Sequence, residues 1–529
     1  MPYTNPTSTP GVYIQEGPPA SRPIEGVATS VAAFIGLAPA GPVNTPTLVT
    51  SWSDFARKFG AGDDGPFMKG AYLAHCVNGF FLNGGTIAWI VRVGTDTFHG
   101  RPMAALPSAV SDVPAPFEAV LKDGVPTQDD KDKDIAYGVE IAEEDARTPP
   151  AGLTVDPKEA APPAKTYKVT VTGGAEPEVF EGLTATPGPH YLATVVTERS
   201  QLVSIVPSGG LFSSVELAPA PKAYKLEIQQ PAPNPDSDAL VGDSSRMTGM
   251  EGLALADDVT IVCLPDLMTL QFSTDDIANV QSKAVKFCSD GRRMAILDPP
   301  PALNDQEILA WRNSGKLPGS PDSRFATLYW PWIQVKDPIT KTTIDIPPCG
   351  HVAGAWAGTD GTRGVHKAPA NVNLAGVVGL GFAVSDSAQS ELNHLGVNCI
   401  RTFPARGTLI WGARTLETDG EWKYLNVRRL FNYLMASILE STQWAVFEPN
   451  DEVLWGQLRV SVSNFLTRTW RTGALFGATP DEAFFVKCDE ETNPPDLIEA
   501  GQVNVKIGVA PVKPAEFVVF EISQFQPGS

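Results

Sequence analysis

Few residues in this sequence stand where catalysis would need them. Asp298, in RRMAILDPP, ends a predicted buried strand, and strand ends of α/β folds commonly carry catalytic carboxylates. Asp360, Arg363 and Lys367, in AGTDGTRGVHKAPAN, could form a second polar site. A structural role competes in both places, because an aspartate before prolines can cap a turn and an ion pair between Asp360 and Arg363 can pin a loop. We favour the structural role for both.

The patterns that carry nucleotide, nucleophilic or zinc chemistry are missing from the sequence. No GxxxxGK[ST] occurs, and GVVGLGFAVS has the glycine order GxxGxG without a predicted strand leading into it. No serine lies in a GxSxG elbow, and the histidines form no HxH, HxxxH or HExxH spacing. We therefore predict no catalytic residues, no cofactor and no metal.

The charge and hydropathy of the sequence limit the binding partners and the cellular compartment that we expect for the protein. The chain has 529 residues and a formal net charge of -20, so its average surface repels nucleic acids and anionic membranes. It shows neither a signal-peptide order nor an apolar run of about 18 residues. We expect synthesis in the cytoplasm as a soluble chain without membrane insertion. There the separated cysteines should stay reduced and buried.

An alternation of strands and helices predicts a layered α/β sheet. Residues 27 to 38 and 86 to 93 are predicted buried strands, and they flank a helix in FMKGAYLAHCVNGFFLNGG. The same alternation of strand and helix resumes with a predicted strand in DDVTIVCLPDL. It is followed by a helix, the strand of RRMAILDPP and a helix capped by Asn304.

Two further regions differ from this pattern. Residues 96 to 250 are rich in prolines and acidic residues, yet TYKVTVTG and AYKLEIQQ alternate as half-exposed antiparallel strands do. We predict a β-rich insert with irregular loops on the surface. Near the C-terminus two long helices are predicted, around YLNVRRLFNYLMASILEST and DEVLWGQLRVSVSNFLTRTW. Three strand-like pieces follow them: AFFVKCD, VNVKIGV and EFVVFEISQ.

The first and last predicted strands have no partner within their own segments. GVYIQE lies between prolines, and EFVVFEISQ is apolar on both faces near its start. Ordering a lone strand costs about 1 to 2 kcal/mol per residue without a ladder to offset it, and a free apolar strand invites aggregation. We expect both strands to pair with other subunits. The residues expected to make this exchange are Val12, Tyr13, Ile14, Phe517, Val518, Val519, Phe520 and Ile522.

Eight longer stretches carry a resemblance to a known family. In chain order they are PGVYIQE, LYWPWIQVKDP, IPPCGHVAGAWAGTDGTRGVHKAPAN, LNHLGVNCIRTFPARGTLIWGARTL, WKYLNVRRLFNYL, WAVFEPNDEVLW, GALFGATPDEAFFVKCD and APVKPAEFVVFEISQ. They resemble the contractile tail sheath proteins of phages, R-type tailocins and phage-tail-like injection particles. The likeness covers about residues 1 to 95 and 256 to 525.

The resemblance implies a structural protein that works as a polymer. Subunits would form hexameric rings stacked around an inner tube, and contraction on a baseplate signal would drive the tube through a target envelope. The implied partners are further copies of the chain, the tube protein, and baseplate and terminal cap proteins. The terminal strands would be arms donated to a small sheet of neighbouring subunits. Assembly would occur in the cytoplasm, and the assembled tail or injection particle could be released.

The second long helix is implied to face the tube. Arg468 and Arg471 share one of its faces, because they are three residues apart, and would form a small basic patch. The alternative is that these arginines are solvated or paired within the chain.

The predicted fold is multidomain α/β (α+β), with a discontinuous core. The expected divisions are an N-terminal arm (1–23), the first part of the core sheath domain (24–95), the β-rich surface insert (96–250), a middle α/β domain (251–375), the second, tube-facing part of the core (376–510) and a C-terminal arm (511–529). Two other functions stay open: a nucleotide-binding α/β enzyme, and a surface adhesion module carried by the insert.

Overall fold

The structure, a computed structural model, describes most of the chain. The described residues are 22–61, 65–68, 70–93, 102–106, 117–122, 125, 136–144, 165–173, 176–185, 190–207, 217, 224–228, 237–268, 272–418 and 420–517. The chain divides into a larger unit, residues 30–361 and 369–423, and a smaller unit, residues 1–29, 362–368 and 424–529.

Strands and helices are numbered along the chain. The strands are β1 (Ala32–Gly36), β2 (Thr47–Val49), β3 (Ala88–Arg92), β4 (Pro102–Leu106), β5 (Phe117–Leu121), β6 (Gly138–Glu144), β7 (Thr166–Thr172), β8 (Glu178–Leu183), β9 (Val203–Pro207), β10 (Tyr224–Lys225), β11 (Glu227–Ile228), β12 (Ile261–Cys263), β13 (Met294–Leu297), β14 (Ala326–Trp330), β15 (Ile333–Lys336), β16 (Thr343–Ile346), β17 (Val372–Asn373), β18 (Gly379–Leu380), β19 (Val397–Phe403), β20 (Gly407–Ile410), β21 (Phe484–Lys487) and β22 (Lys506–Val509). The helices are α1 (Trp52–Phe59), α2 (Leu73–Leu82), α3 (Leu192–Arg199), α4 (Ser237–Val241), α5 (Thr274–Asp290), α6 (Asp305–Asn313), α7 (Cys349–Arg363), α8 (Asp386–His394), α9 (Leu425–Ser441), α10 (Glu452–Arg471), α11 (Pro480–Ala483) and α12 (Pro495–Glu499).

The predicted α/β sheet forms the centre of the larger unit. It has nine strands in the order β17-β20-β19-β14-β13-β12-β1-β3-β2. The pairs from β3 across to β19 are parallel, and the outer pairs are antiparallel. Every residue of β1, β12, β13 and β14 is buried, as expected for parallel strands covered on both faces. The predicted cap of α6 is confirmed, since the Asn304 side chain accepts hydrogen bonds from the N–H groups of Gln306 and Glu307.

The prediction of a β-rich insert is confirmed within the larger unit. Two four-stranded antiparallel sheets have the orders β10-β6-β7-β8 and β11-β4-β5-β9. Their inward side chains form one apolar cluster whose buried members lie between Ala104 and Leu226. The stretch AYKLEIQQ is not one strand, because β10 joins one sheet and β11 the other, with buried Leu226 between them.

The glycine-rich stretch that holds Asp360 and Arg363 is a helix, so the predicted loop is wrong. It forms α7, whose residues from Cys349 to Ala357 are all buried. A Cβ atom on Gly350 or Gly354 would overlap backbone atoms of α2. Glycine lowers helix propensity by about 1 kcal/mol per residue, but here it lets two helix backbones approach closely.

Two buried aspartates at the ends of neighbouring parallel strands hold the N-termini of α2 and α7. After β12, the Asp266 carboxylate accepts hydrogen bonds from the N–H of Leu37, at 2.6 Å, and from the N–H of Tyr72, which precedes α2. Directly after β13, Asp298 accepts the N–H of Cys349, the first residue of α7, at 3.2 Å. Burial raises the pKa of Asp266 to about 6 and that of Asp298 to about 7. Asp298 is thus a helix cap, not the turn cap that we predicted.

Further sequence expectations concern cysteines, metals and membranes. All six cysteines are buried free thiols, as predicted. Among the described residues, no group of three histidine, cysteine or acidic side chains could hold a metal ion. In the same part of the chain, no helix combines the length and hydropathy needed to span a membrane.

The close contact of α7 with α2 predicts opposite effects of alanine at two glycines of one helix. Gly354→Ala should lower the free energy of unfolding by about 1 to 3 kcal/mol, because the new methyl group meets the backbone of α2. Gly361→Ala is the control, since a Cβ there meets nothing within 4 Å. It should raise stability by up to about 1 kcal/mol through helix propensity. Equal effects in chemical denaturation would contradict the close packing.

The raised pKa of Asp298 predicts a pH-dependent difference between the protein and its Asp298→Asn variant. The folded state keeps this proton up to about pH 7, whereas the unfolded state loses it near the ordinary value of 3.8. The wild-type protein therefore loses stability relative to the variant as pH rises through this window, by up to about 4 kcal/mol. Unfolding of unassembled subunits at several pH values checks this. Asp257→Asn, at an exposed aspartate, is the control. If the free energy of unfolding changes with pH in the same way for Asp298→Asn and the wild type, the raised pKa of Asp298 is contradicted.

Candidate strand-acceptor site

Helices α9 and α10 are the framework of the smaller unit, and both were predicted. Leu430 and Leu434 of α9 share one buried apolar cluster with Phe465 and Leu466 of α10 and with Ile24. Helix α10 begins at a side-chain cap, because Asp451 accepts hydrogen bonds from backbone N–H groups in its first turn. With 20 residues, α10 is about 30 Å long.

Strands β21 and β22 form a separate antiparallel pair on this framework, which confirms two of the three strand-like pieces predicted near the C-terminus. Their register runs from Phe484 opposite Val509 to Lys487 opposite Lys506. One face of the pair packs on the cluster of α9 and α10. The side chains of that face are Phe484, Val486, Ile507 and Val509.

The outer edges of this pair are open in the part of the chain that the structure describes, where the sheet has only these two strands. Ala510 donates its N–H to the carbonyl of Ala483 at 2.8 Å, which fixes the alternation of inward and outward backbone groups. The groups of residue 486 on β21, and of 507 and 509 on β22, therefore point away from the partner strand, and the N–H of Phe484 donates to the carbonyl of Pro480 in α11. Such edges are templates for a further strand, and two strands alone are marginally stable.

The outward face of the pair is apolar and basic. The ring of Phe485 is 53% exposed and lies against Gly508, its cross-strand partner. Lys487 and Lys506 stand directly opposite each other, an arrangement that is destabilising for like charges unless an anion is near. Lys487 also forms an ion pair with Glu491.

Of the residues predicted to exchange strands, only Phe517 lies within the described chain. Its side chain is 73% exposed, and it belongs to no strand. The pairing of β22 ends near Pro511, which forms an isolated bridge with Leu475. The other seven residues, at positions 12 to 14, 518 to 520 and 522, lie outside the described residues.

The two arginines predicted to face a tube lie in the last turn of α10. Arg468 donates a hydrogen bond to the carbonyl of Ile24, so it is paired within the smaller unit, as our alternative proposed. Arg471 is exposed at the helix C-terminus, where a cation is favourable. Their contact with a tube stays a prediction.

One exposed feature was missed by sequence reasoning. In the turn between α9 and α10, Phe447 is fully exposed and has a positive φ of 66°. The available signal was the apolar pair VF set between two amphipathic helices and followed by a proline.

Comparison with known proteins identifies the family. Residues 248–416 match the phage tail sheath protein central domain, and residues 417–525 match the phage tail sheath C-terminal domain. The two adjoining matches span residues 248–525, more than half of the 529-residue chain.

Curated relatives agree with these matches. The tail sheath protein of Vibrio phage KVP40 is 25% identical over 50% of this chain and 40% of its own length. That of Burkholderia phage BcepMu is 24% identical over 97% of this chain and 95% of its own. The chain thus spans about 40% of the length of the first curated relatives that it matches, and 95% of the length of the BcepMu protein.

Solved structures share the fold over almost the whole chain. The sheath of the anti-feeding prophage in its contracted state gives a TM-score of 0.57 at 21% identity, over 98% of this chain and 99% of that one. The sheath complex of the extracellular contractile injection system PVC, also contracted, gives 0.55 at 23% identity over the same shares. The resemblance inferred from the sequence is confirmed, and the chain belongs to the phage tail sheath protein family.

Proposed function

We propose that this chain is the sheath subunit of a contractile injection apparatus. It polymerises as stacked hexameric rings around an inner tube and contracts to drive the tube through a target envelope. The observation that carries this proposal is the β21–β22 pair, which leaves two strand edges open in the described chain of a sheath-family protein. Asp266 and Asp298, two acids near strand ends of the sheet, bind the N-termini of helices, which supports a structural role.

The two outer edges match in number the two terminal strands predicted from the sequence. A strand added by a neighbouring subunit along each edge would turn the pair into a four-stranded sheet. Each added strand makes several ladder hydrogen bonds, worth about 0.5 to 1.5 kcal/mol net apiece. Each large apolar side chain that it buries adds about 1.5 to 3 kcal/mol before the ordering cost is subtracted.

Charge supports the same pairing. Glu16 belongs to the N-terminal strand predicted from the sequence, and Glu521 belongs to the predicted C-terminal strand. A glutamate on an added strand can approach Lys506, whose cross-strand neighbour Lys487 is already paired with Glu491. The flanks TNPTSTP and GPPASRP would let subunit bodies rotate while such strands stay paired, which contraction requires.

The other partners follow from the sheath role. The tube protein, a baseplate and a terminal cap would bind the polymer, and a solved baseplate of the anti-feeding prophage contains a chain similar to this one. The polymer would assemble in the cytoplasm and end in a phage tail or a released particle.

Deleting residues 1 to 20 should abolish assembly while the subunit still folds. The donated strand is lost, whereas the described residues of the apolar clusters in both units are kept. Sedimentation and negative-stain microscopy should find no sheath, and the melting transition of the subunit should stay unchanged. Normal sheaths from the shortened chain would contradict strand exchange.

Substitutions within the first arm separate backbone pairing from side-chain burial. Ile14→Pro should approach the deletion, since proline removes a ladder donor and fits poorly in a paired strand. Ile14→Ala should be milder, because it loses only side-chain burial. Equal effects of the two on assembly would mean that the arm binds through side chains alone.

Reversing the charge at position 471 tests the predicted contact of Arg471 with the tube. Arg471→Glu should weaken co-sedimentation with the tube protein, and the loss should depend on salt between about 50 and 300 mM. The melting transition of the subunit should not change, because Arg471 is exposed. Arg468→Glu is the comparison, since it should also lower subunit stability through the lost bond to Ile24. Unchanged co-sedimentation of Arg471→Glu would refute this contact.

A further inference from the structure

In the turn between α9 and α10, an apolar side chain is exposed to solvent and its backbone is strained. We call Val446, Phe447 and Glu448 the acidic tip. Val446 is 58% exposed and Phe447 is fully exposed, at 103%. The φ of 66° at Phe447 lies in the left-handed region, which is unfavourable for a bulky side chain. The fold gains no burial from this ring, and a strained residue that persists without such a gain points to a role outside the fold.

The acidic tip is held by fixed contacts on both sides. Before it, Trp444 packs against the buried cluster of Trp455, and Glu448 donates its N–H to the carbonyl of Ala445 at 3.3 Å. After it, Asn450 accepts the indole N–H of Trp455 at 2.9 Å. The next residue in the chain caps α10. A tip supported in this way presents Phe447 in one place, which lowers the entropy cost of binding.

The sequence on either side of the tip is apolar and acidic, and the Arg22 guanidinium lies 4.7 Å from the ring of Trp444. Leu439 and Val453 are exposed beside it in sequence, on the ends of α9 and α10. Residues 430–458 contain four acidic residues and no lysine or arginine. Two of those acids, Asp451 and Glu452, lie at the N-terminus of α10, which leaves Glu440 and Glu448 to meet a partner. The fitting partner is an apolar or aromatic surface with positive charge.

The same chain carries such a surface on the β19–β20 hairpin of the larger unit. We call Arg401, Phe403, Arg406 and Trp411 the aromatic hairpin. The rings of Phe403 and Trp411 are 4.6 Å apart, and the Arg406 guanidinium lies 5.4 Å from each. Residues 396–416 contain three arginines and no acid. Arg401 is paired with Asp386 at 2.7 Å, so the positive charge available to a partner rests on exposed Arg406.

We propose that the acidic tip of one copy docks on the aromatic hairpin of a second copy, with Phe447 against the rings of Phe403 and Trp411 and Glu448 facing Arg406. This inference rests on the proposed function, since it names a second contact of the polymer besides strand exchange. The two surfaces differ, so the contact is heterologous and can propagate from copy to copy. It also gives a strongly acidic chain a local attraction between subunits.

The test measures the concentration of full chain needed for assembly, by sedimentation at low salt with microscopy of the pellets. Phe447→Gly should raise this concentration about tenfold or more, as loss of a central aromatic anchor does. The same change should leave the melting temperature of the unassembled subunit unchanged or higher, because glycine tolerates the positive φ. If Phe447 served only the stability of the subunit, Phe447→Gly would lower the melting temperature.

Charge exchange identifies the partner surface. Glu448→Lys and Arg406→Glu should each raise the assembly concentration about two- to fivefold, and the double variant should return it to near the wild-type value. Glu490→Lys, a reversal at another exposed acid of the smaller unit, and Val378→Ala, at another exposed apolar residue, are controls that should not change assembly.

The outcomes separate this inference from the proposed function. If wild type assembles and Phe447→Gly assembles equally well, the docking contact is overturned while the sheath role stands. If both charge reversals impair assembly and their combination does not recover it, a second copy is not the partner, and the inference is overturned. If wild type itself forms no polymer, the proposed function fails and this contact fails with it.

Discussion

Every backbone N–H and C=O group that leaves water needs a hydrogen-bond partner, and this requirement organises both units of the chain. In the larger unit the partners lie within the chain. Parallel strands pair across the sheet, and the carboxylates of Asp266 and Asp298 meet the first N–H groups of α2 and α7. In the smaller unit the described residues leave the outer edges of β21 and β22 open. The same requirement is met within the larger unit, whereas in the smaller unit some outward backbone groups of this pair have no strand partner among the described residues.

The α/β core could be predicted because its signals are local. Strands covered on both faces give short, uninterrupted apolar runs. The start of α6 is indicated by Asn304 and Glu307, which form a capping box. Helix α7 could not be found in this way, since its glycines lower the helix propensity of the segment. They are needed only because α2 lies against them, and a single sequence does not show that contact. The role of Asp298 was missed for the same reason, as its partner Cys349 is far along the chain.

The candidate site was predictable in its parts and not in its geometry. Alternating apolar residues indicated β21 and β22, but the pairing that leaves two edges open depends on the arrangement of the whole unit. Arg468 and Arg471 looked equivalent at a spacing of three, yet only the structure separates the one bound to Ile24 from the one left exposed. The exposure and backbone of Phe447 were not predicted either. An apolar side chain predicts burial, and a positive φ has no sequence signal outside glycine, asparagine and aspartate.

The insert sits in the connection between β3 and β12, two parallel strands that flank β1 in the sheet. Among the described residues, the buried side chains of its apolar cluster all come from the insert. Lengthening such a connection is thermodynamically cheap, because each doubling of a flexible loop costs only about 0.6 kcal/mol. Mutations in the insert are thus largely uncoupled from those in the sheet, and the two can evolve at different rates. The chain combines a sheet scaffold with a module that selection can exchange without rebuilding the nine-stranded sheet.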